Sequence, residues 1–244
     1  MNDSEQALNR QTLADQIAQR ILNRAVASGV RPGDALPGET VLAAQFAVSR
    51  SAIREALKWL SGRGYIQIMN GRSARVQALD DGNLRAYFSH ALHVEGVPFA
   101  ELMEARKSIE IQSATLAAQR RTQSQVNELF EVIIQMRAEL DKHHSDAYVD
   151  LDVDLHMQIA RAAHNVVVQH LISAIRGTLN VAVHESLYRR RTRVQLMRVH
   201  ELHEAIVSEI RLGNADGAGR AMQIHFDEAL AFLYRDRPHR ALPA

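Results

Sequence analysis

The stretch from Val48 to Leu60, Val-Ser-Arg-Ser-Ala-Ile-Arg-Glu-Ala-Leu-Lys-Trp-Leu, constrains the fold more than any other part of the chain. Ser49 is a good N-cap, because its hydroxyl can accept from an unpaired amide of the first helical turn. Ile53, Ala56, Leu57 and Leu60 then share one apolar stripe at helical spacing, and Arg50 and Arg54 share another face. Upstream, residues 9–28 read as a helix with Leu13, Ile17, Ile21, Leu22 and Val26 on its buried side, stopped by Gly29 and the Pro32-Gly33 turn. A second helix runs from about Gly38 to Phe46, with Glu39 near its positive end and Val41, Leu42 and Phe46 facing in. Only Ala47 and Val48 separate it from Ser49, which is helix-turn-helix spacing.

Downstream, Tyr65 to Met69 alternates as a strand, Asn70-Gly71 suits a tight type I′ turn, and Arg72 to Gln77 can return as a second strand. A helix-turn-helix followed by a hairpin is a winged helix. At the N-terminal end of a helix in the major groove, the guanidinium forks of Arg50 and Arg54 can donate in pairs to guanine O6 and N7. Asn70, Gly71 and Arg72 at the wing tip put a slim backbone and one cation where a minor groove or a phosphate could be gripped. Taken alone, Val48–Leu60 reads equally as an amphipathic surface helix with solvated arginines. Its flanks favour a double-stranded DNA operator as partner.

Charge is placed unevenly. The net charge is +1, but residues 1–79 carry ten Lys and Arg against six Asp and Glu, and the remainder 19 against 22. The excess is modest, so DNA affinity is expected to depend on dimerisation and specific contacts more than on bulk charge. There is no cysteine, which excludes disulfides and thiolate metal sites and fits a reducing cytoplasm. No apolar run approaches a membrane span, and the first residues lack the order of a signal peptide. A cytoplasmic protein without a membrane partner is expected.

From Asn83 onward the pattern is helical, with segments at about 83–94, 98–120, 124–142, 146–163, 166–189, 193–212 and 215–235. Breaks fall at Gly96-Val97-Pro98, Arg121-Thr122, His143 to Ser145, His164-Asn165, Arg191-Thr192 and Gly213-Asn214, and Leu129, Ile133, Met136 and Leu140 form a clear stripe. The expected fold is mainly α: an N-terminal winged helix-turn-helix with a small β-hairpin wing (9–79), a hinge (80–83), a C-terminal antiparallel bundle of about seven helices (84–235) and a flexible tail (236–244). Within the bundle, Asp152 and His156 are one turn apart on one helix, and His203 and His225 come from the two last helices. Three imidazoles and a carboxylate suit zinc, nickel or manganese. Twelve histidines make chance a serious competitor, and His200 rivals His203 from one turn away.

The ordered residues Arg31-Pro32-Gly33-Asp34, Leu36-Pro37, Glu39, Leu42-Ala43, Val48-Ser49-Arg50, Ile53-Arg54-Glu55-Ala56-Leu57, Leu60 and Gly64-Tyr65 resemble the GntR family of bacterial regulators, in its fatty-acid-regulator (FadR) branch. The resemblance implies DNA contacts from Arg50, Arg54, Ser49, Asn70, Gly71 and Arg72. Thr40 stands where many relatives have arginine, which removes or weakens one contact. Glu104 to Glu110, Asp152 with His156, His203 to Ile206 and Met222 to His225 resemble the effector domain of that branch. The implied metal ligands are Asp152, His156, His203 and His225, with Arg106 facing a bound effector. His164 replaces a common glycine and Ile111 a common proline, departures expected to touch helix ends only.

These readings predict a homodimeric transcription factor, a repressor, released from a palindromic operator by a small carboxylate bound near a divalent ion, with Arg106 forking onto the carboxylate. Arg106 has an alternative role as an internal ion-pair partner of Glu110. Two other functions compete. One is the same DNA-binding module with a structural metal and an apolar, acyl-type effector. The other is a metal-dependent hydrolase, but His200-Glu201-Leu202-His203 is one residue short of H-E-x-x-H, so no enzyme is expected.

Overall fold

The computed structural model describes residues 12–69, 73–78, 80–140, 142, 146–188, 190 and 192–234. The chain divides into two compact units, residues 1–83 and 84–244.

The first unit contains α1 (Leu13–Ala27), α2 (Glu39–Phe46), α3 (Arg50–Gly62), β1 (Ile66–Gln67) and β2 (Arg75–Val76). α1 is capped at Thr12, which forms a reciprocal capping box with Asp15; residues 9–11 of the expected helix lie outside the described residues. α1 and α2 both pack against α3. The core joins Ile17, Ala18, Ile21, Leu36, Leu42, Ile53, Ala56, Leu57, Leu60 and Ile66. Ser49 caps α3 as expected, accepting from the Ala52 amide at 3.2 Å. The turn before it is closed by Ala47 at φ +53° and by the Val48 amide donating to the Ala43 carbonyl at 3.1 Å.

Three details depart from the sequence reading. Leu13 and Val26 are 60% and 78% exposed, because α1 buries its middle and its ends overhang the small core. Val41 is exposed on α2, where Leu42 alone is fully buried. The hairpin ladder is two residues long, pairing Ile66 with Val76 and Gln67 with Arg75 antiparallel. Ile68 is exposed, so the alternation does not carry through to Met69.

The second unit is a helical bundle of α4 (Gly82–His93), whose first two residues belong to the first unit and take up the end of the expected hinge, α5 (Phe99–Arg120), α6 (Gln123–Glu139), α7 (Asp146–Ala162), α8 (Val166–Tyr188), α9 (Arg193–Leu212) and α10 (Ala215–Tyr234). Local chemistry sets the breaks. Thr122 with Gln125 and Thr192 with Gln195 form capping boxes, and Gly213 ends α9 in the left-handed conformation at φ +73°. α5 lies against α7, α8, α9 and α10, while α7 also meets α6 and α8, and α9 meets α6 and α10. Leu129, Ile133, Met136 and Leu140 are buried as the stripe predicted. Ala114, Ala117, Ala118 and Ala218 are also fully buried in this core, and a Cβ on Gly219 would meet Thr115 Oγ1 at 2.7 Å, so small residues let α10 approach α5 closely.

The two expected departures from the family behave differently. His164 adopts the left-handed conformation, φ +45°, at the α7–α8 turn, and its Nε2 lies 3.0 Å from Gln125 Oε1. Ile111 sits in the middle of α5, not at a helix end; without proline the backbone hydrogen bonds run on unbroken. No helix among the described residues is long and apolar enough to cross a membrane.

Candidate functional site

α3 turns Ile53, Ala56, Leu57 and Leu60 into the core, which leaves Arg50 and Arg54 outward. Both reach Glu39, the first residue of α2. Arg54 Nε donates to Glu39 Oε2 at 2.8 Å, and Arg50 Nη2 lies 3.8 Å from the same oxygen. Ser49 is exposed beside them, its Oγ 2.9 Å from Ser51 Oγ, and Thr40 is exposed in the first turn of α2. Asn70, Gly71 and Arg72 lie outside the described residues, as do Leu79 and the tail from residue 235.

In the bundle, α7 carries Asp152 and His156, α9 His203, α10 His225, α5 Arg106 and Glu110, and α8 Arg176, all buried. His156, His203 and His225 each offer a ring nitrogen, and these atoms lie within 4.8 Å of one another. The ring centroids are 4.6 to 5.6 Å apart. Among the described residues, His156 Nε2, Nδ1 of His203 and Nδ1 of His225 have no polar partner. Buried polar atoms are rarely left so, and unpartnered nitrogens on three clustered rings fit a divalent ion.

The electrostatics agree with that fit. Burial pushes the His156 imidazole below its ordinary range, against the pull of Glu110. It pushes His225 further down, with His203 and His156 adding to the effect. Neutral imidazole is the form that binds metals. His156 Nδ1 contacts Glu110 Oε2, so a proton shared there leaves the Nε2 lone pair facing the cluster. Burial resists ionisation of Glu110, but His156, Arg106 and Arg176 outweigh it and hold the carboxyl well below the usual range. Burial resists ionisation of Asp152 as well; His203, His156 and Arg176 prevail.

The structure thus brings the three predicted histidines together and sets Asp152 at their edge. Asp152 Oδ1 is 3.3 Å from His203 Nε2, while Oδ2 accepts from Arg176 Nη2 at 2.9 Å. His200 stands outside the cluster, its Nε2 3.1 Å from Glu204 Oε1. Arg106 forms the internal ion pair, Nε donating to Glu110 Oε1 at 2.7 Å, and its Cζ lies 5.0 Å above the Phe226 ring. The Nη edge is the side from which it could grip a ligand.

Sequence reasoning missed Arg176, whose Nη1 also reaches Glu110 Oε1 at 3.4 Å. Its signal was an arginine directly after the apolar stretch Leu171 to Ile175. Tyr148 and Arg190 were missed too: the Tyr148 hydroxyl is buried without a hydrogen-bond partner among the described residues, and Arg190 is buried with its Cζ 4.1 Å over the Phe232 ring.

Two family models match the chain. The model for bacterial regulatory proteins of the gntR family covers residues 13–76, and the FCD domain, the FadR-type C-terminal domain, covers 101–228. The transcriptional regulator LutR of Bacillus subtilis is 30% identical over 201 residues, spanning 80% of this chain and 90% of LutR. The transcriptional repressor NanR of Escherichia coli is 28% identical over 254 residues, spanning 94% and 90%. Among solved structures, a GntR protein of Streptococcus agalactiae shares the fold with a TM-score of 0.69 at 24% identity, covering 89% of this chain and 98% of that one. These families and relatives are transcriptional regulators and not enzymes. With its winged helix and FCD domain, the chain belongs to the GntR family of bacterial regulatory proteins and is a DNA-binding transcriptional regulator.

Proposed function

We propose that this regulator is a cytoplasmic homodimeric repressor, released from a palindromic operator by a small carboxylate bound beside a divalent ion in the bundle. Ser49, Arg50 and Arg54, with Asn70, Gly71 and Arg72 of the wing, contact the operator. His156, His203 and His225 hold the ion, zinc, nickel or manganese, with Asp152 within reach at the edge. The observation that carries this reading is three buried imidazoles, each offering a nitrogen within 4.8 Å of the others, with two buried guanidinium groups nearby.

When bound, the ion supplies a Lewis-acidic point for a ligand oxygen. The chain supplies the rest. Glu110 fixes the His156 ring, Phe226 and the surrounding helices exclude water, and Arg106 meets the ligand carboxylate with its Nη edge. Arg106 and Arg176 balance Glu110 and Asp152 in charge, so a divalent ion leaves the centre positive and an anion completes it. Repression is supported by the similarity to NanR, a transcriptional repressor. Release requires that the ligand prefer a domain arrangement that spaces the two α3 helices badly, with residues 80–83 as hinge, because equal affinity for both arrangements shifts nothing.

Elemental analysis of the purified protein, paired with a thermal-shift screen of small carboxylic acids with and without chelator, tests the proposal. A stoichiometric divalent ion and a metal-dependent shift for one acid class, lost in Arg106→Ala, are expected. Acid shifts indifferent to chelation would replace this reading with a structural metal and an apolar effector.

A further inference from the structure

Glu39 stands at a place where a carboxylate is costly for a protein that must approach phosphates. It lies in the first turn of α2 with its Oε2 against both outward arginines of α3, 2.8 Å from Arg54 Nε and 3.8 Å from Arg50 Nη2. The fold fixes this meeting across fifteen residues. Leu42 and Ile53 lock the two helices into one core, Ala47 closes the turn between them, and the positive end of α2 favours a carboxylate at that spot.

We infer that Glu39 is a positioning and specificity-setting residue for DNA reading, an inference that rests on Arg50 and Arg54 as the operator contacts. A guanidinium offers five donors in a rigid fork. Glu39 engages Arg54 through Nε, so the two Nη groups remain as the edge that matches guanine O6 and N7, and the side chain is ordered before DNA arrives. The same carboxylate offsets one of two adjacent cations. Attraction to phosphate, which is indifferent to sequence and grows with each cation that displaces a counterion, is weakened. A contact to a base edge loses less, because it depends on the placement of the fork. Glu39 therefore raises discrimination by lowering the background and sharpening the signal together. An ordinary surface ion pair would do neither.

The test uses full-length protein, a duplex enriched by the wild type from a randomised pool, and a mixed-sequence duplex of equal length. Glu39→Gln keeps the shape of the side chain and removes its charge. The variant is expected to bind the mixed-sequence duplex more tightly, with a log-affinity against log-salt slope steeper by about 0.9, one extra counterion's worth. Discrimination between the two duplexes is expected to fall about fivefold or more, the smallest effect of disturbing one base-reading fork. A variant that melts like the wild type and keeps both slope and discrimination overturns the inference. Arg54→Ala separates the two layers. Loss of specific binding in Arg54→Ala with an unaltered Glu39→Gln defeats only the role of Glu39, whereas undiminished specific binding in Arg54→Ala defeats the operator contact itself.

Discussion

Two arginine–glutamate pairs of almost equal length sit in the two units of this protein. In the DNA-binding unit Arg54 Nε meets Glu39 at 2.8 Å with side chains 56% and 32% exposed; in the bundle Arg106 Nε meets Glu110 at 2.7 Å with 5% and 1% exposed. Geometry is shared, and surroundings differ. Exposed, such a pair contributes about 0–1 kcal/mol to stability and leaves its arginine available to a competing ligand. Buried, the charges have lost their hydration, and each depends on the other being present. One motif therefore serves as a positioning contact that adds little stability at a surface that must exchange partners and as a structural necessity inside the bundle.

The comparison is broken most forcefully by removing the two carboxylates in turn. Glu110→Ala strands Arg106, leaves Arg176 with Asp152 alone and frees His156 Nδ1, so urea denaturation of the bundle, followed by far-ultraviolet circular dichroism, should show a loss of about 3–5 kcal/mol. Glu39→Ala should change stability by no more than about 1 kcal/mol. Equal losses would mean that burial does not distinguish the pairs. The metal reading gives the next largest effect. A divalent ion at a free concentration of about a hundred times its dissociation constant should stabilise the protein by about 2.7 kcal/mol. His203→Ala should abolish that gain, and His200→Ala, which removes a ring outside the cluster, should keep it. Loss in the His200 variant with retention in the His203 variant would reverse the assignment.

The same contrast explains what the sequence could disclose. The bundle helices were legible to about a residue, except that α6 ends at Glu139 and not at 142, because most of their ends are written locally: Thr122 and Thr192 with glutamines three positions on, Gly213 in a left-handed turn. The histidines were legible because a spacing of four puts Asp152 and His156 on one helical face, whereas the choice of His203 over His200 depended on resemblance and is supported by geometry. Glu110 as a hub and Arg176 as its second cation were not legible. Their meeting depends on how α5, α7 and α8 pack, and no local period reports it. In the first unit the apolar stripes of α1 and α2 overstated burial at Leu13, Val26 and Val41, since periodicity marks a face and not how far a small core extends along it.

Function at the exposed pair is sharpened by Arg54→Ala. If the Nη edge reads a base, specific binding should weaken by about 1–3 kcal/mol per half-site, with thermal stability nearly unchanged. Fluorescence anisotropy on the enriched duplex and a melt of the free protein check both halves. A large loss of stability would move Arg54 from reader to structural element.

The smallest effect, and the one that separates the units most cleanly, is the response to mild acid. All twelve histidines lie beyond residue 83, and the sole tryptophan, Trp59, lies in the DNA-binding unit. Burial holds His156 and His225 below the ordinary imidazole range, so in the window between their folded values and about 6.5 the unfolded chain binds more protons than the native one. Stability must then rise with pH across that window and fall as the medium is acidified, by at most about 1.4 kcal/mol per pH unit for each proton. Glu110 and Asp152, held well below their usual range, act in the same direction at lower pH, around and below about 4. Metal-free full-length protein melted at pH values from about 7 to about 5.5 should therefore show a falling midpoint by circular dichroism, while the Trp59 fluorescence midpoint stays nearly constant. Parallel movement of the two midpoints would show that the units unfold as one, and that the buried imidazoles govern the stability of the DNA-reading helices as well as their own bundle.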